Sequence, residues 1–231
     1  MDTVKLSWSG GKDSTASAII HGERGDKIKA VYYIPYLTDG IPLITRKQFD
    51  FMQEAIAVLS DRYDFHAFKA RGISYYEHVT RVLTRGPRKG EIMGFGLGFG
   101  FCLFRDYSKR KAIEKCNVGL FDYEEIGIAF DETKRLNQLS AKKRSIIAAN
   151  RMTESDCFEL CARHGLLSPV YEYRGMRDGC VICPNCNDGR LREWAQDYPE
   201  GVEILKDIER ICEGVGKGKI YRNGEKWSDR I

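Results

Sequence analysis

The stretch Ser9-Gly10-Gly11-Lys12-Asp13-Ser14 constrains this chain more than any other. It follows the apolar run Val4-Lys5-Leu6-Ser7-Trp8, which reads as a short buried strand. It precedes Thr15-Ala16-Ser17-Ala18-Ile19-Ile20, which reads as the first turns of a helix. Strand, glycine turn and helix N-terminus together make an anion site. The first backbone N–H groups of the helix lack partners, and the helix dipole adds partial positive charge. Gly10 and Gly11 let the backbone approach a phosphate with no Cβ in the way. Ser9 and Ser14 add hydroxyl donors, and Lys12 adds a mobile positive charge. The adjacent glycines depart from the Walker loop and from the dinucleotide fingerprint, both of which space them.

Behind this loop, strands alternate with helices. Ile28-Lys29-Ala30-Val31-Tyr32-Tyr33-Ile34 reads as a second strand, Tyr63-Asp64-Phe65-His66-Ala67-Phe68 as a third, and Glu124-Glu125-Ile126-Gly127-Ile128-Ala129-Phe130 as a further one. Helical spacing marks 46–60, 73–83, 107–116 and 154–164, and a helical stretch 191–212 is broken at Pro199-Glu200-Gly201. The pattern predicts an α/β fold, a doubly wound and mainly parallel sheet with its ligand crevice at the carboxyl strand ends. Thr38-Asp39-Gly40-Ile41-Pro42 is a turn, and 86–100 is a long glycine-rich loop of the kind that is often functional. The segment 134–151 is basic and reads as solvated or mobile, with a nucleic-acid contact as the alternative.

The 231 residues suffice for one domain with its own core, and the formal net charge of +4 permits an anionic ligand without demanding nucleic acid. No apolar run approaches a membrane span, so a cytoplasmic protein without a membrane partner is expected. In that compartment the eight cysteines point to metal or redox chemistry more than to disulfides. Cys180, Cys183 and Cys186 lie two residues apart and can converge on one soft cation as thiolates. Cys157 and Cys161, at helical spacing beside Phe158 and Leu160, read as a helix face packed on the core.

The loop Ser9–Ser14 resembles the PP-loop of the ATP pyrophosphatase (adenine nucleotide alpha-hydrolase) superfamily. Later stretches resemble its phosphoadenosine phosphosulfate (PAPS) reductase-like branch: Thr38-Asp39-Gly40-Ile41-Pro42 sits where that family has a similar Asp-x-Gly turn, Phe101-Cys102 followed by Lys109 resembles its Trp-Cys…Lys element, and Gly127-Ile128-Ala129-Phe130-Asp131-Glu132-Thr133-Lys134-Arg135 resembles its Gly-Ile-Arg-x-x-Glu-Ser-x-Arg element. The resemblance covers roughly residues 4 to 190. It implies a five-stranded sheet with helices on both faces. It also implies a single domain, with a nucleotide-binding core over 1–135 and a cysteine-bearing, helical C-terminal segment over 136–231.

The resemblance further implies an enzyme that cleaves ATP to AMP and pyrophosphate and adenylates an acceptor, in the service of sulfur transfer. Ser9, Gly10, Gly11, Lys12, Asp13 and Ser14 would hold the phosphates, with Asp13 binding Mg²⁺ or holding the loop. Adenine would lie near Tyr33 and Ile34. Lys109 and Arg135 would neutralise charge at the alpha phosphate, Glu132 would position Arg135, and Asp39 and Gly127 would line the nucleotide. Cys102 would join Cys180, Cys183 and Cys186 as the fourth ligand of a 4Fe-4S cluster or a structural Zn²⁺. The family's first arginine is Ala129 here, and its C-terminal Glu-Cys-Gly-Leu/Ile-His segment is absent, with Cys212 the nearest cysteine. Reduction of PAPS or adenosine phosphosulfate is therefore one alternative, and a regulatory nucleotide-binding module without turnover is the other. The sulfur donor or acceptor stays open, and partners extend to nucleic acid and a homodimer.

Overall fold

The computed structural model describes residues 1–98, 101–173, 179–216 and 225–231. The basic turn expected over 174–177 and most of the 219–225 tail lie outside the described residues. In chain order the strands are β1 (Thr3–Ser7), β2 (Lys27–Tyr32), β3 (Tyr36–Thr38), β4 (Ile41–Pro42), β5 (Phe65–Lys69), β6 (Leu97–Gly98), β7 (Phe101–Cys102), β8 (Tyr123–Ile126) and β9 (Lys143–Arg144). The helices are α1 (Lys12–Glu23), α2 (Arg46–Arg62), α3 (Tyr75–Thr80), α4 (Lys111–Lys115), α5 (Thr133–Leu136), α6 (Ile146–Ala149), α7 (Glu154–Arg163), α8 (Asp188–Asp197) and α9 (Pro199–Gly214). A π-helical turn, Arg105–Arg110, leads into α4. Among the described residues no helix is long and apolar enough to cross a membrane.

The chain divides into two compact units. The first holds Met1–Tyr33, Asp50–Ala70 and Lys115–Asp178, and the second holds Ile34–Phe49, Arg71–Glu114 and Gly179–Ile231. Residues 136–178 therefore share a unit with the glycine loop.

The first unit is built on a five-stranded sheet of order β5-β2-β1-β8-β9 in which every neighbouring pair is parallel. This is the expected α/β sheet. β1 is central, with Leu6 opposite Ala30 of β2 on one side and Glu125 of β8 on the other. The chain leaves β1 toward β2 and β5, and returns much later to β8 and β9. Strand order therefore switches at the carboxyl end of β1, where open α/β sheets take their ligands. Val4, Leu6, Ile28, Ala30, Val31 and Phe65 are buried in this sheet. α1 is buried nearly all round, at Thr15, Ala16, Ser17, Ala18, Ile19 and His21, and its small side chains suit a helix enclosed by neighbours rather than one with a wet face.

Two expectations need correction here. The strand read over 124–130 ends at Ile126. Beyond it Ser145 takes over the backbone of Ile128, donating its hydroxyl to the carbonyl at 2.7 Å, so residues 127–130 turn away from the ladder. The basic segment 134–151 is solvated at its cations, but it is built into the fold. It forms α5, the edge strand β9 and α6, with Ile146 and Ile147 in the core and Ser145 capping α6 through the Ala148 amide.

The second unit has a core of Leu37, Tyr75, Phe95, Phe104, Trp194, Leu205, Ile208 and Trp227. The Asp39–Gly40 turn joins the antiparallel strands β3 and β4, and Gly40 has a φ of +88°, a value that favours glycine. Ser74 and Glu77 form a reciprocal capping box on α3. The expected break at Pro199 is real: α8 ends at Asp197 and Pro199 opens α9. Trp194 and Trp227 are buried with their indole N–H groups donating to the carbonyls of Pro42 (2.6 Å) and Ile182 (3.1 Å).

Candidate phosphate-loop site

The loop Ser9–Ser14 leaves the carboxyl end of β1 and enters α1, as the sequence pattern implies. Gly10 has a φ of +78°, and a Cβ there would come 3.1 Å from Met52 Cγ. The positive φ favours glycine, and Met52 would have to shift to admit a Cβ. Gly11 stands at the N-cap in extended conformation and makes no side-chain cap. The two serine hydroxyls are turned into the loop: Ser14 Oγ accepts from the Ser9 amide (3.1 Å) and donates to the Gly11 carbonyl (3.0 Å), and the hydroxyls lie 3.2 Å apart. In this state they brace the turn. The Lys12 amide donates to the Tyr171 hydroxyl at 2.9 Å. Among the described residues no acceptor meets the backbone N–H of Gly10, Asp13 or Ser14. Three free amides at the start of a twelve-residue helix form a ready anion cradle.

Charge around the cradle is mixed. Lys12 Nζ lies 2.9 Å from Asp13 Oδ1 and 3.5 Å from Glu154 Oε2. Burial alone would depress the Lys12 ammonium, but these carboxylates outweigh it and hold its pKa above the ordinary lysine value. Burial pushes the Asp13 carboxyl up. Lys12 pulls it back, while Glu132 and Glu154 push it further up. Glu132 itself binds Arg135 Nη1 through both oxygens at 2.6 Å, and also accepts from the Ala129 amide at 3.3 Å. Gly127 packs directly against the first turn of α1, where a Cβ would meet the Asp13–Ser14 peptide.

The first unit thus brings together Ser9, Gly10, Gly11, Lys12, Asp13, Ser14, Gly127, Glu132 and Arg135. Tyr33, half-buried, follows β2 in the same unit. Three neighbours escaped the sequence reading. Glu154 opens α7, and a charge at a helix start carries no signal of its partner. Tyr171 comes from a short 3₁₀ turn, Pro169–Glu172, far along the chain. Cys161 donates its thiol to the Lys12 carbonyl at 3.2 Å. Burial pushes Cys157 and Cys161 up to about 12, so both are packing groups, as their helical spacing suggested.

Ile34, Asp39, Lys109 and the Cys102/Cys180/Cys183/Cys186 set belong to the second unit. Asp39 is exposed in the β3–β4 turn and Lys109 is exposed on the π-helical turn. Cys102 accepts from the Arg105 amide at 3.2 Å. Burial pushes Cys180 up to about 12, with the neighbouring Cys102 and Cys183 adding to the rise. Backbone bonds from Cys183 N to Cys180 O and from Cys186 N to Cys183 O fold the Cys-x-x-Cys-x-x-Cys run into consecutive turns. The Cys186 thiol points to the Asn187 carbonyl at 3.5 Å. Three of the four thiols therefore gather, and their chemistry suits a soft cation. As they stand, no three His, Cys, Asp or Glu side chains among the described residues are close enough to hold a metal ion.

No protein-family profile and no curated protein matches the sequence. Among solved structures the chain is similar to the crystal structure of a 4-thiouridine synthetase in complex with RNA and bound ATP. Identity is 15% and the TM-score is 0.42, over 90% of this chain and 53% of that one. The chain spans about half the length of that protein.

Proposed function

We propose that this chain is a PP-loop ATP pyrophosphatase-type enzyme, which cleaves ATP between the alpha and beta phosphates and adenylates an acceptor. The observation that carries this reading is the cradle at the switch point: three unpaired amides at the head of α1, with Gly10 and Gly127 keeping Cβ atoms out of the way. The amides of Gly10, Asp13 and Ser14 bind the pyrophosphate end. Lys12 turns from Asp13 to the phosphates, and Arg135, steered by Glu132, meets the charge that builds at the alpha phosphate. Adenine rests at the end of β2, against Tyr33. An acceptor oxygen attacks the alpha phosphorus and loses its proton, the bond to the bridging oxygen breaks, and pyrophosphate leaves with the electron pair. A sulfur nucleophile then displaces AMP.

Mg²⁺ fits this site. Asp13 carries the excess negative field of Glu132 and Glu154, and a divalent cation would offset both that field and the phosphates. The four thiols Cys102, Cys180, Cys183 and Cys186 are proposed to hold a 4Fe-4S cluster or Zn²⁺, a role supported by the gathering of the first three; no step of the reaction runs through it. Substituting Cys183 by Ser should lower metal content in an anaerobic preparation, and a metal-free, folded wild type removes this assignment.

The test of the main reading is pyrophosphate release from ATP with Mg²⁺ and with EDTA. Release should require Mg²⁺ and should fall at least about a hundredfold in Lys12→Ala and in Asp13→Ala, the scale of a lost charge contact at a transition state. Equal ATP affinity and equal release in both variants would sink it.

A further inference from the structure

Between Thr133 and Thr153 the sequence carries Lys134, Arg135, Lys142, Lys143, Arg144 and Arg151 and no acid, although the whole chain is only +4. The structure turns this run into the outer edge of the first unit's sheet. β9 is the last strand, paired through Lys143 to Glu124 and through Arg144 to Glu125. Lys142, Lys143 and Arg144 are all exposed. The Arg144 guanidinium lies over the Tyr123 ring at 4.3 Å. Lys143 makes only a loose, exposed pair with Glu124 at 3.8 Å, a contact worth little in water. Among the described residues Lys142 and Arg151 have no ion partner.

The stripe rises from the level of Glu124 toward the carboxyl end of the sheet, the end where the phosphate loop opens. An aromatic ring waits there. Phe130 is 45% exposed, and its amide is tied to the Met152 carbonyl at 2.7 Å, which places its backbone beside that of Arg151. Arg151 has a φ of +56° and is the one non-glycine with positive φ among the described residues. That conformation disfavours a large side chain, so the local geometry holds it there at a cost.

Cations on an edge strand can serve simply to repel other strands. That explains Lys143 and Arg144. It does not explain an exposed phenyl ring and Arg151 beyond the carboxyl end of β8. Cations that track a backbone, ending on an aromatic that can stack a base, are the recognition mode for unpaired nucleotides. A duplex hides its base faces and gives Phe130 nothing to stack on. We propose that the surface from β9 to Phe130 binds single-stranded nucleic acid and delivers it to the phosphate loop, making a nucleic acid the acceptor class. This rests on the ATP-using reading above.

The test is fluorescence anisotropy of the full chain with a labelled single-stranded RNA of about 20 nucleotides, the DNA of the same sequence, and the duplex, over a range of salt. Single strands should bind better than duplex, and the tighter of the RNA and DNA arms names the substrate. The triple variant Lys142→Gln, Lys143→Gln, Arg144→Gln should weaken binding at least about tenfold and flatten the salt slope by about 2. Phe130→Ala should weaken it about tenfold with the salt slope unchanged, since stacking releases no counterions. All four side chains are exposed, and thermal melts should show both variants folded. ATP affinity, measured in parallel, should be unchanged in both. Failure to bind a single strand, equal binding of duplex, or binding that both variants leave intact overturns the proposal. If ATP still binds, that failure is this inference's alone; a wild type that binds no ATP instead brings down the reading beneath it.

Discussion

A Cβ on Gly127 would come within 2.5 Å of the Ser14 amide nitrogen and 2.6 Å of the Asp13 carbonyl carbon. Both neighbours are backbone, so neither can swing aside. The peptide after β8 thus touches the head of α1 directly. Gly127→Ala should cost about 1–3 kcal/mol in a urea melt, the usual scale for overpacking. It should also weaken ATP binding by more than tenfold in a titration, because the first turn of α1 is what moves. Wild-type ATP affinity in a folded Gly127→Ala protein would separate Gly127 from the cradle.

Glu154 competes with any phosphate for Lys12. Its Oε2 lies 3.5 Å from Lys12 Nζ, and its side chain is half exposed. Glu154→Gln keeps the shape and removes the charge. ATP affinity should therefore rise by about two- to fivefold at low ionic strength, and the gain should shrink as salt screens it. A loss of affinity would mean that Glu154 binds the ligand's cation rather than opposing its phosphates.

His21 is fully buried between two carboxylates. Its Nδ1 is 2.9 Å from Asp26 Oδ2, and its Nε2 is 3.7 Å from Glu125 Oε2, too long for a hydrogen bond. Burial alone would lower its pKa, but Glu125 and Asp26 outweigh burial and raise it above the ordinary 6.5. Burial likewise opposes the Asp26 carboxylate, yet His21 and the Asp2 amide hold its pKa below 3.8. A raised imidazole pKa adds stability that is full below pH 6.5 and is lost as pH rises through the folded value. A lowered carboxylate pKa adds stability present above 3.8 and lost as pH falls through its folded value. The network should therefore be strongest between those two limits and decline above neutrality, by up to about 1.4 kcal/mol per pH unit while His21 titrates. Urea melts from pH 6 to 9 should show that slope in the wild type, and His21→Gln should lack it. Parallel slopes in the two proteins would remove His21 as the cause.

What the sequence made legible follows from local chemistry. Gly10 and Gly11 between an apolar run and a helix start announce the loop, since each piece is a neighbour in the chain. The helix at Cys157 and Cys161 and the break at Pro199 were legible for the same reason. Partners chosen in space were not. Glu125 reads as an ordinary charge in a strand, yet it is fully buried, accepting from Ser17 Oγ and the Ile146 amide. Tyr171 reads as one tyrosine among twelve, yet its hydroxyl takes the Lys12 amide. The segment 134–151 looked solvated because its cations outnumber its large apolar side chains. Ile146 and Ile147 are enough to anchor it once Ser145 caps α6 and binds Ile128.

Reduction of a sulfonucleotide needs a thiolate that can reach sulfur and then be resolved by a second thiol. Cys212, the cysteine nearest the C-terminus, does not offer one. Cys212 sits fully buried on α9, with its thiol pushed up by burial to about 12. At neutral pH it is therefore held as the thiol, where an unperturbed thiol keeps a few per cent thiolate. Cys157 and Cys161 are equally suppressed, and burial with its neighbours Cys102 and Cys183 pushes the half-buried Cys180 up as well. Supplied with PAPS or adenosine phosphosulfate and reduced thioredoxin, the protein should release no sulfite above a protein-free control. Cys212→Ser should leave pyrophosphate release from ATP unchanged, because that thiol lies in the second unit's core and the ATP chemistry is assigned to the first. Robust sulfite release that disappears in Cys212→Ser would require α9 to open and expose the thiol, and it would replace adenylation with reduction as the chemistry of this chain.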